Sequence, residues 1–130
     1  MRAAKVLTIN AIASGLIGLA CVLDAQLLAP VLLEASTPAA VLALRILGVG
    51  LTVFAIAVGL VAARRETPRT ALRVILWADM AWVAATLVLA PMFAAALTGM
   101  GLAAVIVVGV AVAVFAVFEA NALRRATALA

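Results

Sequence analysis

Two acids and an amide stand where charge is hardest to keep. Asp79 and Glu119 lie inside long apolar runs, and Asn10 lies inside a third. A charged group in hydrocarbon costs roughly a few kcal/mol and must be compensated. Each of the three sits a short count from a cation: Asn10 is five residues beyond Lys5, Asp79 six beyond Arg73, and Glu119 five before Arg124. At a helical rise of ~1.5 Å per residue, all three fall about 7 to 9 Å inside the same boundary. Ser14 joins Asn10's face at i+4, Trp82 and Thr86 lie near Asp79's face at i+3 and i+7, and Gly59 occupies the same level five residues before Arg64. Two acids at one depth can share a proton or hold a cation. The plainer reading is structural: Asn10 and Asp79 hydrogen-bond between helices, and Glu119 reaches the interface or pairs with a snorkelling arginine.

A second pair of charges belongs to the opposite boundary. Asp24 stands five residues before Ala29-Pro30 and Arg45 seven after Pro38. Their depths agree to within a helical turn, and an unpaired arginine there is expensive, so a salt bridge from Asp24 to Arg45 is expected to lock the first two helices, with Gln26 beside it. Other chemistry is scarce. The chain has no His, no Tyr and one Cys, hence no imidazole for haem or zinc, no second thiol for a disulfide and no obvious nucleophile and base pair. Enzyme, metal and cofactor are therefore not expected. Cys21, alone in an apolar run, reads as a small packing residue.

The elements that must position these groups are membrane helices. Of 130 residues 70% are hydrophobic and 11% charged, against an apolar share near half for a soluble domain. Four stretches reach the roughly 17 to 25 apolar residues of a span: about 6–28, 38–63, 69–93 and 101–123. None alternates with period two, so a membrane barrel is out, and the expectation is an all-α bundle of four transmembrane helices forming one domain. The first span is read as a mature helix; Leu19-Ala20-Cys21 is a poor lipoprotein site because the apolar run continues past it. Thr37-Pro38 and Thr67-Pro68 read as helix starts, a capping hydroxyl followed by proline at the first helical position. Ala29-Pro30 and Ala90-Pro91 read as ends or kinks.

Eight of the nine cations fall on one side: Arg2 and Lys5, then Arg64, Arg65, Arg69 and Arg73, then Arg124 and Arg125. By the positive-inside rule both termini are cytoplasmic, with the segments around Glu34 and Thr98 outside. The +4 net charge is thus a topology signal, and a nucleic-acid surface is not expected.

The halves of the chain also match each other. With residue i set against i+61, Leu28-Ala29-Pro30 meets Leu89-Ala90-Pro91, Thr37 meets Thr98, Gly48-Val49 meets Gly109-Val110, and Val53-Phe54-Ala55 meets Val114-Phe115-Ala116. The pattern predicts a duplicated two-helix hairpin, the two units parallel and related by an axis along the membrane normal. Small-residue stripes, Gly48-Thr52-Ala55-Gly59 and Gly109-Ala113-Ala116-Ala120, offer close helix packing, either within the bundle or against another protomer.

The run Arg45-Ile46-Leu47-Gly48-Val49-Gly50-Leu51, the Arg64-Arg65 turn, Ala78-Asp79-Met80-Ala81-Trp82-Val83 and Val114-Phe115-Ala116 before Glu119 resemble small bacterial four-helix integral inner-membrane proteins. The resemblance implies a compact bundle and an inner-membrane address, and brings no reaction. The leading expectation is an accessory or scaffold subunit that packs with itself, as a homo-oligomer, or with other membrane proteins in a larger complex, within the lipid bilayer. The alternative is an oligomeric carrier or channel coupled to protons or cations through Asp79 and Glu119.

Overall fold

The computed structural model describes residues 2–129, and the chain is all-α. In order come α1 (Ala3–Leu23), α2 (Ala25–Leu32), α3 (Pro38–Ala62), α4 (Arg69–Met92), a 3₁₀ turn (Ala94–Ala96) and α5 (Gly99–Ala128). Four of them, α1, α3, α4 and α5, are long and apolar enough to cross a membrane. Helix is what such a sequence must form in lipid, because only helices and closed barrels satisfy every backbone N–H and C=O without water. Large apolar side chains point outward, Leu16, Leu60 and Leu87 among them, each 65% or more exposed. Outward-facing leucine is costly in water and neutral against acyl chains.

The expected first span is divided at Asp24. The Asp24 N–H still donates to the Ala20 carbonyl at 2.9 Å, and its own carbonyl accepts from the N–H groups of Leu27 and Leu28. Its backbone, at φ −113° and ψ 21°, leaves the helical region. The proline lies downstream: the Pro30 ring crowds the carbonyl four residues earlier, at Gln26, and the distortion is released at the aspartate, a poor interior helix residue. The corresponding Pro91 leaves α4 unbroken to Met92, and the residue 61 positions beyond Asp24 is Ala85, which favours helix.

That break corrects the expected outer salt bridge. Asp24 and Arg45 are both exposed, and no arginine or lysine nitrogen lies within 4.0 Å of a carboxylate oxygen among the described residues. With α1 ending at Asp24, the carboxylate sits on the bend, while Arg45 lies in an open cleft with Gln26 and Ser36.

Helix starts follow two patterns. Thr37 Oγ1 accepts from the Ala40 N–H at 3.2 Å with Pro38 at the first position. Before α4, Pro68 is itself the extended residue preceding the helix and no side chain caps the start, so Thr67 does not play the expected part. Thr98 caps α5 instead: its Oγ1 accepts from the Gly101 N–H at 3.0 Å and donates to the Val31 carbonyl at the end of α2. The Thr98 N–H to Leu32 carbonyl and Glu34 N–H to Ala96 carbonyl bonds, both 3.0 Å, tie the two loops of that end together. A Cβ on Gly101 would collide with the Leu32 carbonyl, so this crossing requires glycine.

Packing makes two hairpins. α1 lies along α3, α4 along α5, and the hairpins meet through α1 and α2 against α5. At the first seam a Cβ on Gly18 would stand 2.8 Å from the Thr52 N, and one on Gly48 would stand 2.8 Å from the Val22 N. Backbones this close gain dispersion contact along the whole crossing, which replaces the hydrophobic drive that lipid does not supply. The glycine stripe of α3 is therefore consumed inside the protomer, as is Gly109, which packs on Thr86. At the arginine-bearing end Leu7, Val58, Leu72 and Ile75 form a buried apolar plug. Beside it, the Arg69 guanidinium donates to the Ala126 carbonyl, fastening the start of α4 to the end of α5. Arg64, Arg65, Arg73, Arg124 and Arg125 are exposed at the same end.

Candidate functional site

One turn above the plug, three helices bring their polar residues together. Asn10 on α1 lies three residues beyond Leu7, and Asp79 on α4 lies four beyond Ile75. Glu119 on α5 faces both. The Asn10 Nδ2 donates to Asp79 Oδ2 at 2.7 Å and to Glu119 Oε1 at 3.1 Å. Ser14 Oγ, one turn further along α1, donates to Asn10 Oδ1 at 3.0 Å. The amide thus spends both hydrogens on acids and receives one from serine, which fixes its orientation. Asn10 and Glu119 are fully buried and Asp79 is 3% exposed. α3 contributes no polar group at this level, where Gly59 stands beside Ala11.

What the site lacks is positive charge. Glu119 neither reaches the interface nor pairs with an arginine; its Oε2 is buried without a hydrogen-bond partner. Asp79 receives the Asn10 amide on Oδ2 only, and its carboxyl stands within hydrogen-bond reach of that of Glu119. The two oxygens held by Asn10 hang on one nitrogen, so they stand less than about 6 Å apart, and two full charges at that spacing repel by about 3 kcal/mol at an effective dielectric of ~20. One proton or one monovalent cation removes the repulsion. Two carboxyl groups and an amide do not make a three-ligand metal set, and no cluster of three acid or thiol ligands occurs among the described residues.

Above the layer lies a cavity of about 400 Å³, and Asp79 and Ser14 are part of its wall. Pairs of lining residues stand 61 positions apart: Ile17 with Ala78, Leu47 with Val108, Gly50 with Ala111, Leu51 with Val112, and Phe54 with Phe115. Trp82, half-buried, completes the aromatic part of the wall, while Trp77 is 64% exposed near the arginine-bearing end, as an interface residue would be. The exposed lining residues include Ile46 and Gly50 of α3 and Ala78 of α4, so the cavity opens sideways, toward lipid.

The sequence brought Asn10, Asp79 and Glu119 to one depth, with Ser14 one turn along Asn10's face, and the structure places all four in one hydrogen-bonded cluster. It does not bring Asp24 to Arg45. The cavity is the feature that spacing alone missed. Its signal was present in the i+61 matches, because Phe54 and Phe115 fall in register and both line it. Comparison with protein families, curated proteins and solved structures finds no match for this chain.

Proposed function

We propose that this chain is a small multi-pass carrier of the bacterial inner membrane, with both termini cytoplasmic, in which Asp79 and Glu119 take up and release a proton or a cation. One observation carries the reading: two buried acids share a single amide donor, with no counter-charge and with Glu119 Oε2 unpartnered. Polar glue between helices needs one donor and one acceptor, and a second buried acid only adds desolvation cost. The apolar plug separates the acids from the arginine-bearing end, while the cavity reaches Asp79 from the other direction. In this conformation the acids are reached from the cavity and not from the arginine-bearing end, and a carrier would have to open the plug to release what it took up.

The accessory-subunit reading draws less support. It relied on small-residue faces free to engage other proteins, and the Gly18 and Gly48 faces are engaged with each other. The paired lining residues favour descent from a duplicated hairpin, with the cavity on the axis between the halves.

The decisive experiment is flux. Reconstituted in liposomes with an internal pH indicator, the protein should dissipate an imposed pH gradient, and Asp79→Asn and Glu119→Gln should each abolish this while the protein stays folded. A wild-type protein that moves no protons or alkali cations, with Asp79→Asn merely lowering its thermal stability in detergent, would return the accessory reading to first place.

A further inference from the structure

The cavity above the acids has a chemistry of its own. Its wall is hydrocarbon and aromatic, and apart from the Trp82 indole the only hydrogen-bonding side chains on it are Ser14 and Asp79. Ser14 Oγ is spent on Asn10, whereas the Asn10 amide reaches only Oδ2 of Asp79 and leaves Oδ1 without an amide or hydroxyl donor. An occupant therefore meets apolar surface nearly everywhere and one carboxyl group at one end.

We infer that the cavity binds a single apolar molecule bearing one ammonium group, with the ammonium at Asp79 Oδ1 and the hydrocarbon body among Phe54, Phe115 and Trp82. This deepens the carrier reading and rests on it for the claim that Asp79 exchanges its positive partner. The volume of about 400 Å³ falls in the range of small-molecule sites. A neutral lipid tail would fill the walls but leave the oxygen unpaired. A bare metal ion would satisfy the oxygen and leave the walls empty, and an anion meets two acids.

The charge of the occupant follows from the two halves. The position 61 residues before Asp79 is Gly18, sealed against Thr52 and Gly48, and the one before Glu119 is Val58, part of the plug. The walls repeat between the halves, but the acids do not. No lysine or arginine lines the cavity, and the facing polar groups are Asn10 and Ser14 from α1, Asp79 from α4, Glu119 from α5 and none from α3. With one proton kept between the two acids, one positive charge neutralises the shared site; a second ammonium group would find no carboxylate across the axis. Aromatic side chains beside the ammonium add favourable contact with its charge. Entry is lateral, past Ile46 and Gly50, the route open to a molecule already dissolved in the membrane.

The test uses the full chain in lipid nanodiscs with Trp77→Phe, which leaves Trp82 as the only indole. Trp82 fluorescence is titrated with 4-phenylbutylammonium and with the neutral 4-phenylbutan-1-ol, against empty nanodiscs. The ammonium should bind saturably and about ten-fold or more tighter than the alcohol, since its hydrogen bond is charge-assisted. Asp79→Asn should reduce the ammonium to the level of the alcohol. Gly50→Leu, placed where a Cβ meets nothing within 4 Å and the acids are untouched, should weaken both. Equal binding of the two probes, or tight ammonium binding that survives Gly50→Leu, overturns the inference. Asp79-dependent proton flux without amine binding removes the ligand and keeps the carrier; amine binding without any flux removes the carrier and keeps the site.

Discussion

Gly18 and Gly48 meet backbone to backbone: a Cβ on the first would lie 2.9 Å from the Gly48 carbonyl oxygen, and one on the second 2.6 Å from that of Gly18. Neither neighbour is a flexible side-chain end that could swing away. Gly48→Ala is therefore expected to destabilise the first hairpin by roughly 1–3 kcal/mol despite alanine's better helix propensity. Gly50→Ala, two residues away with open space at its Cβ, should be neutral or slightly stabilising. Unfolding titrations in mixed micelles would compare them, and equal stabilities would show that the helices separate more freely than this crossing allows.

Asn10→Leu should be the most damaging change in the polar layer. It leaves two buried acids without their amide donor, at a cost of about 1–3 kcal/mol or more. Ser14→Ala, which removes one neutral bond to Asn10 within α1, should cost only about 0.6 kcal/mol, on the scale of side-chain hydrogen bonds in membrane proteins. The double variant Asn10→Leu with Asp79→Asn should recover part of the loss. Thermal denaturation in detergent reads the order, and a harmless Asn10→Leu would mean that the acids find water instead.

Asp24→Asn should change stability by no more than about 0.5 kcal/mol, as for an exposed residue without a partner. A loss of several times that size in lipid would mean that Asp24 and Arg45 pair there after all.

At the opposite end of α2, Thr98→Val should cost about 1 kcal/mol, as loss of a helix cap does, and more than Thr37→Val. Both caps serve one backbone N–H, but only Thr98 also donates to the carbonyl of another helix. Hydrogen exchange at Gly101 and Ala40 would report each start separately.

Orientation is tested by reporter fusions. Eight cations at one end predict a cytoplasmic reporter at Arg125 and an external one near Glu34. An active periplasmic reporter at Arg125 would reverse the assignment.

Much of this architecture could be read from residue types. Long apolar runs allow only helix, and Lys5, Arg73 and Arg124 serve as rulers from which Asn10, Asp79 and Glu119 fall to one level. Depth is a one-dimensional quantity that counting supplies. Direction around a helix is not: Asp24 and Arg45 match by count, but the axis bends at Asp24 itself and the two side chains do not pair. The cap at Thr67 failed for a related reason. Thr37-Pro38 and Thr67-Pro68 are the same dipeptide, and only the chain path before each decides whether the hydroxyl reaches a helical N–H. The cavity was invisible because it is a property of four helices at once, though its paired phenylalanines were already in register.

The apolar plug also has an electrical meaning. A membrane potential falls across whatever excludes water, and Leu72 stands seven residues before Asp79, a distance of about 10 Å along α4. That is roughly a third of a ~30 Å hydrocarbon layer. A charge passing from the arginine-bearing end to Asp79 would cross about a third of the field, worth about 0.8 kcal/mol at 100 mV on a scale of ~2.3 for the full span. In the proposed carrier, occupancy of the acid pair from that side would depend on voltage as well as on concentration, and a cell that depolarises would alter the loading of the site with no change in its chemistry.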